Sequence, residues 1–173
     1  MTFVKKFYDG AGWLSEWSGR IVSFAIPVLI ITVCYDVFMR YIFNAPTNWS
    51  YELSYMLGTA VISLGLPYVH YHASHIRVDL IYSRLTAMAR LWLDVVLTAC
   101  MFFPLVLMWT KVFGDNALQS FVTQEISYDS MWYPMLWPFK LVIFTGFLLL
   151  LIQGVATFAR DVATLAKGGE QPW

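Results

Sequence analysis

Charge is what this sequence lacks. Of its 173 residues only 13% are Asp, Glu, Lys or Arg, while 59% are hydrophobic and 18% aromatic, against roughly 25% charged in soluble domains. So few polar groups cannot cover a water-exposed surface, and the surplus apolar side chains must face lipid. The formal net charge is zero and the Lys and Arg residues are scattered, which leaves no basic patch for phosphates and excludes a nucleic-acid partner. Cysteine is scarce as well. Cys34 and Cys100 lie inside apolar runs with no second Cys or His at metal-ligand spacing, and read as small buried residues. The first long apolar run begins only at Ile21 and leads into a charged, aromatic stretch without a small-residue cleavage site, so no cleavable signal peptide is expected.

What is present is a set of apolar stretches whose ends are marked by charge. Residues 1–20 interleave Lys5, Lys6, Asp9, Glu16 and Arg20 with Phe3, Phe7, Trp13, Leu14 and Trp17, the pattern of a lead-in at headgroup depth. The expected spans are about 21–43, 49–70, 91–113 and 132–159. The uncharged part of the first covers about 22 Å at 1.5 Å per residue, so that span must include Asp36 and Arg40, an i,i+4 pair near its far end. Asn44, Pro46 and Asn48 form the connection, with Asn48 the expected cap of the next helix and Trp49 an interface anchor. Glu52 falls in the first turn of that helix, where a carboxylate meets the positive end of the dipole. Ser54, Gly58 and Gly65 share one side of it, which would let another helix approach closely, and Pro67 is placed to bend its exit.

Beyond the second span come His70, His72 and His75, then Arg77, Asp79, Arg84 and Arg90. Val78, Ile81, Tyr82 and Leu85 follow i, i+3, i+4, i+7, which predicts a short amphipathic helix in the interface plane. The third span contains Pro104. Residues 114–131 form a polar, acidic segment in which Leu118, Phe121, Val122 and Ile126 have helical spacing, able to fold back on the membrane surface or on a partner. The tail 168–173 is expected to be disordered. The fold class is therefore an all-α membrane protein: four transmembrane helices, a short interfacial helix between the second and third, and both termini on one side. That side holds Lys5, Lys6, Arg20, Arg77, Arg84, Arg90, Arg160 and Lys167, the other only Arg40, Lys111 and Lys140, so both termini are expected in the cytoplasm.

Reactive chemistry is as sparse as charge. A transporter working alone usually keeps an ionisable group at mid-membrane. Here Asp36, Arg40, Glu52, Asp94, Lys111 and Lys140 all map toward span ends, and Gln153 is the main polar residue within a span. No two spans break in matching places, as inverted repeats do. Haem ligation within a bundle needs histidines from facing helices at similar depth, whereas His70, His72 and His75 come from one helix end and its loop; they read as polar interface residues, with His75 and Asp79 pairing at i,i+4. Neither Glu52 nor Asp79 has a Ser, Cys or second carboxylate at a spacing that suggests a general base. No cofactor or metal is expected. The tryptophans, Trp13, Trp17, Trp49, Trp92, Trp109, Trp132 and Trp137, fall near span ends, as interface belts require.

One ordered set of residues carries more information than any of these alone. Arg40-Tyr41-x-Phe43-Asn44-x-Pro46-x-x-Trp49-x-x-Glu52-Leu53, an apolar run containing Gly65, and His75-x-x-Val78-Asp79 together resemble the small membrane subunit of tripartite ATP-independent periplasmic (TRAP) transporters. Gly58-Thr59 departs from the bulkier aromatic often found there in that family. The resemblance implies a bacterial inner-membrane protein in a three-part system. A soluble periplasmic protein captures an organic acid such as a dicarboxylate or sugar acid, a large multi-span membrane subunit carries it in, typically driven by sodium, and the small subunit braces the large one and helps dock the binding protein. On that reading Arg40, Asn44, Trp49 and Glu52 build the periplasmic turn, with an Arg40 to Glu52 ion pair between adjacent helix ends. His75, Arg77, Asp79 and Arg84 fix the interfacial helix, and Gly58 and Gly65 are the positions of close helix contact, within the chain or against the large subunit. The rival readings are a haem- or quinone-linked membrane anchor of an oxidoreductase and a self-assembling small exporter.

Overall fold

The computed structural model describes residues 2–72 and 86–166, so the expected interfacial helix, with His75, Arg77, Asp79 and Arg84, lies outside the described residues, as does the tail. Within them the chain is helical without a strand: α1 (Thr2–Ser23), α2 (Ala25–Ile42), α3 (Ser50–His72), α4 (Ala87–Leu97), a π-helical turn (Thr98–Phe102), α5 (Phe103–Thr123) and α6 (Trp137–Ala166).

Among the described residues three stretches are long and apolar enough to cross a membrane: Val4–Ile42, Met88–Thr123 and Trp137–Ala166. The first joins α1 and α2 across a one-residue break at Phe24, whose N–H still reaches the Ile21 carbonyl at 3.2 Å. Its 39 residues would extend roughly 58 Å if straight, about twice the ~30 Å hydrocarbon core. The span expected at 49–70 coincides with α3, but α3 is not among the three. Glu52, Ser54, Thr59, Ser63, His70 and His72 dilute its apolar content.

The second long stretch changes pitch at its middle for a chemical reason. Pro104 has no N–H, and in a regular helix its ring would crowd the Cys100 carbonyl. Ahead of it the helix widens, the Phe103 N–H bonding to the Thr98 carbonyl five residues back, and this one-turn π segment accommodates the proline without ending the helix. The helix then runs on to Thr123, so the first half of the segment expected to leave the helix at 114 stays within it. Gln124 stops it in the left-handed conformation (φ 49°), and residues 125–136 form a tight hairpin closed by an antiparallel bridge between Ile126 and Met135. That is why the last helix starts at Trp137 and not at 132.

The helices form a row. α2 packs on α3, α3 on α6 and α6 on α5, while α1 lies against both α3 and α6. Direction follows from which residues meet. Gly12 faces Tyr71, Gly19 faces Tyr68 and Gly58 faces Leu29, so α1 and α2 run antiparallel to α3. Tyr55 meets Phe139 and Ser63 meets Gly146, so α3 and α6 are parallel. Phe103 meets Phe158 and Phe121 meets Trp137, so α5 runs antiparallel to α6. The start of α1 and the end of α6 therefore share one end of the row, where Arg160 donates to the Tyr8 hydroxyl at 2.9 Å.

The interior is small and polar, the exterior large and apolar. Buried positions include Ala11, Ser15, Ser18, Val22, Ser63, Val106, Ala117, Ser120, Leu150, Gln153 and Ala156, whereas Phe24, Tyr41, Ile62, Met101 and Val122 are exposed, as are Cys34 and Cys100, which sit on the outer faces of their helices and not in the interior expected for them. This suits lipid, where burying Leu against Leu gains little over leaving it in acyl chains and helices associate through close backbone approach and hydrogen bonds. α1 shows the pattern best: its protein-facing side is Ala11, Ser15, Ser18 and Val22, and its outer side Trp13, Leu14, Trp17 and Ile21. It is thus packed along the bundle. The Ser15 hydroxyl donates to Gln153 Oε1 at 3.0 Å and Gln153 Nε2 reaches the Thr157 hydroxyl at 3.4 Å, so the polar residue within the last span is satisfied by its own chain.

Candidate functional site

The end of the row opposite the chain ends gathers the 43–49 connection, the start of α3, the hairpin 125–136 and the start of α6. Each residue there has a local reason for its place. Phe43 and Ala45 both donate to the Met39 carbonyl at 3.2 Å, a helix-ending pattern that requires the residue between them to be left-handed; Asn44 takes that conformation at φ 51°, the strained position that Asn tolerates better than most side chains. Pro46 then prevents the helix resuming. Thr47 folds back and donates both its hydroxyl and its N–H, the latter at 3.2 Å, to Asp36 Oδ1, while Arg40 donates to Asp36 Oδ2 at 2.6 Å. One carboxylate thus ties the connection to the helix it leaves. Trp49 stacks on Tyr35 with centroids 5.8 Å apart, and the Ser50 hydroxyl donates to the Thr32 carbonyl at 3.2 Å.

Two local expectations are corrected here. α3 begins at Ser50, with the Trp49 carbonyl accepting the first helical bond from Leu53, so Asn48 lies one residue before the cap. Nor do Arg40 and Glu52 pair. Arg40 already has a carboxylate one turn back on its own helix, and Glu52, about 200° round α3 from Ser50 at 100° per residue, faces away from α2. Glu52 is 3% exposed; its Oε1 accepts from the Ser127 hydroxyl at 2.8 Å, and its Oε2 is buried with no partner among the described residues. The long-range partner of Glu52 is therefore the hairpin, 75 residues away in sequence.

The hairpin is held at several points. Ser127 N–H bonds to the Pro134 carbonyl at 2.9 Å and Leu136 N–H to the Glu125 carbonyl at 2.9 Å; the Asp129 N–H reaches the Ser127 hydroxyl and the Trp132 N–H the Ser130 hydroxyl. Lys140, in the first turn of α6, pairs with Glu125 at 2.5 Å, and this ammonium holds the Glu125 carboxyl below its ordinary value near 4.5. In the sequence Glu125 and Lys140 fall in different segments, with no signal for the pair. Ser127 in particular carried none.

Gly58 and Gly65 are not where helices within this chain approach most closely. A methyl group on Gly58 would lie 3.7 Å from Leu29, and one on Gly65 would meet nothing within 4 Å among the described residues. The tight crossing is at Gly146, whose missing side chain is replaced by the Ser63 backbone carbonyl of α3. Of the histidines, His70 stacks on Phe102 at 5.0 Å and His72 on Tyr68 at 4.3 Å. Among the described residues no group of three His, Cys, Asp or Glu side chains converges as a metal site.

A protein with helices long and apolar enough to cross a membrane, and ion pairs such as Asp36 with Arg40 and Glu125 with Lys140 at the helix ends, belongs to the class of helical membrane proteins. The match to known families is specific: the chain belongs to the family of the DctQ component of tripartite ATP-independent periplasmic transporters, whose family model matches residues 29–164. This is a family of transporter components, not of enzymes. No curated protein and no solved structure matches the chain.

Proposed function

We propose that this chain is the scaffold subunit of a secondary-active TRAP transporter in a bacterial inner membrane, importing an organic acid such as a dicarboxylate or sugar acid with sodium as the coupling ion. The match over residues 29–164 carries the reading. On it α3 is the second of four spans, sheltered between α2 and α6, and both termini are cytoplasmic, since eight of the eleven Lys and Arg residues then lie on the cytoplasmic side. The large multi-span subunit carries the solute and the periplasmic binding protein delivers it; the small subunit braces the former and helps dock the latter. Arg40, Asn44, Trp49 and Glu52 shape its periplasmic end. His75, Arg77, Asp79 and Arg84 serve the cytoplasmic interface, Gly58 seats α2 through Leu29, and the open side of Gly65 suits contact with the large subunit.

Reconstitution tests this. Proteoliposomes holding this chain alone, supplied with binding protein and a sodium gradient, should take up nothing, and adding the large subunit should give uptake. Uptake by the chain alone overturns the proposal, as does full uptake by the large subunit without it.

A further inference from the structure

The hairpin 125–136 presents a surface that packing within this chain does not use. Tyr128 and Met131 are each 78% exposed, and Tyr133 and Met135 are also exposed. Tyr128 and Tyr133 stand edge to face, 6.1 Å between centroids, and Tyr133 holds the left-handed backbone conformation at φ 51°, which costs energy in a residue with a large side chain. Beneath, Ser127 is fixed to the buried Glu52 and Glu125 to Lys140. These bonds tie the hairpin backbone down before anything binds it, which lowers the entropy lost on association, and its Tyr and Met content is that of protein interface cores.

Charge decides what it fits. Between Lys111 and Lys140 there is no cation, while Asp115, Glu125 and Asp129 lie in that stretch. Glu125 is matched by Lys140; Asp115 and Asp129 have no ion pair among the described residues. Membrane-surface segments that bind headgroups are rich in Lys and Arg, and this one has none. We propose that the hairpin is a preformed docking platform for a basic patch on the soluble component of the transporter, with Tyr128 and Met131 as apolar anchors, Asp129 as the charge that meets the patch, and Glu52 and Lys140 as positioning residues beneath it. The proposal rests on the transporter reading above.

The test uses the complex of this chain with its large subunit in nanodiscs of neutral lipid, and measures binding of the soluble component at low and high salt. Asp129→Lys should weaken binding about tenfold at low salt and less at high salt, and Tyr128→Ala with Met131→Ala about tenfold or more at either, while Leu148→Ala on the exposed side of α6 changes nothing. A photo-cross-linker at Met131 should capture the soluble component. Wild-type and variant complexes binding within twofold of one another, or cross-links only to lipid or the large subunit, overturn the platform and leave the transporter reading standing. A wild-type complex that does not bind the soluble component overturns both.

Discussion

Gly146→Ala is the sharpest probe of how the row is held together. In most helices this change stabilises by up to about 1 kcal/mol, because Gly loses more backbone freedom on folding. Here the added methyl would run into the Ser63 carbonyl and its carbon, main-chain atoms fixed by α3 that cannot rotate away. α3 and α6 must separate, and overpacking of this kind costs about 1–3 kcal/mol. The clash outweighs the propensity gain, for a net loss of about 1–2 kcal/mol, or a roughly 5- to 30-fold fall in the folded to unfolded ratio. Gly65→Ala is the control, since its methyl meets nothing within 4 Å. The assay is reversible unfolding in mixed micelles titrated with a denaturing detergent, comparing midpoints of both variants with wild type. If Gly146→Ala unfolds at the same detergent fraction as Gly65→Ala or a higher one, the crossing does not set the spacing of α3 and α6 and the reasoning fails.

Three further outcomes follow from the hairpin end. Asn44→Gly should leave stability within a few tenths of a kcal/mol, while Asn44→Val should cost about 1–2 kcal/mol, because a β-branched residue resists φ 51°; the same detergent titration reads both. Asp36→Ala should expose the 43–49 connection to limited proteolysis faster than Arg40→Ala does, since Asp36 holds both Arg40 and Thr47; equal cleavage rates would show that the Thr47 bonds contribute nothing. Glu125 titrates below an unfolded carboxyl because of Lys140, so its contribution is full above the ordinary value near 4.5 and is lost as the pH falls through the lower folded value. Protection of the Ser127 and Leu136 amides, with exchange rates corrected for the intrinsic slowing of exchange in acid, should therefore fall on acidification in wild type, and Glu125→Gln should show that lower protection already at neutral pH; equal protection in wild type and Glu125→Gln at neutral pH would refute the pairing.

The helices after α1 were legible in approximate position because lipid-facing stretches must be apolar throughout and charges collect at their ends; α1 itself, Thr2–Ser23, was not, because its charges made residues 1–20 read as a lead-in at headgroup depth. The connection 43–49 was legible for a related reason: Asn44 and Pro46 act on backbone geometry locally. What escaped was everything set by distant parts of the chain. A helical repeat in 114–123 cannot distinguish a surface helix from the continuation of a span, and only the register of α5 against α6 decides it. The glycine signal was incomplete because a small residue permits close approach without saying to what: among the described residues Gly65 lies beside open space, while Gly146, which the sequence did not single out, lies against Ser63. Glu52 was found for its place at a helix start, but its partner Ser127 could be named only once the hairpin was folded over α3.

The arrangement as a row gives the scaffold reading its physical sense. Four helices closed into a bundle would bury a common interior, in which a mid-membrane polar group could line a path. Here each inner helix touches its two neighbours in the row and, on one face, α1, and a polar side chain meets another helix directly, as Gln153 meets Ser15 of α1. A row also leaves two broad faces of large apolar side chains, one of them partly covered by α1, and these suit contact with lipid and with a larger membrane protein without enclosing a cavity between them. Such a shape resists bending in its own plane through side-by-side contacts such as Ser63 with Gly146 and Phe103 with Phe158. A part that must stay still while its partner moves needs that stiffness, and gains nothing from a passage of its own.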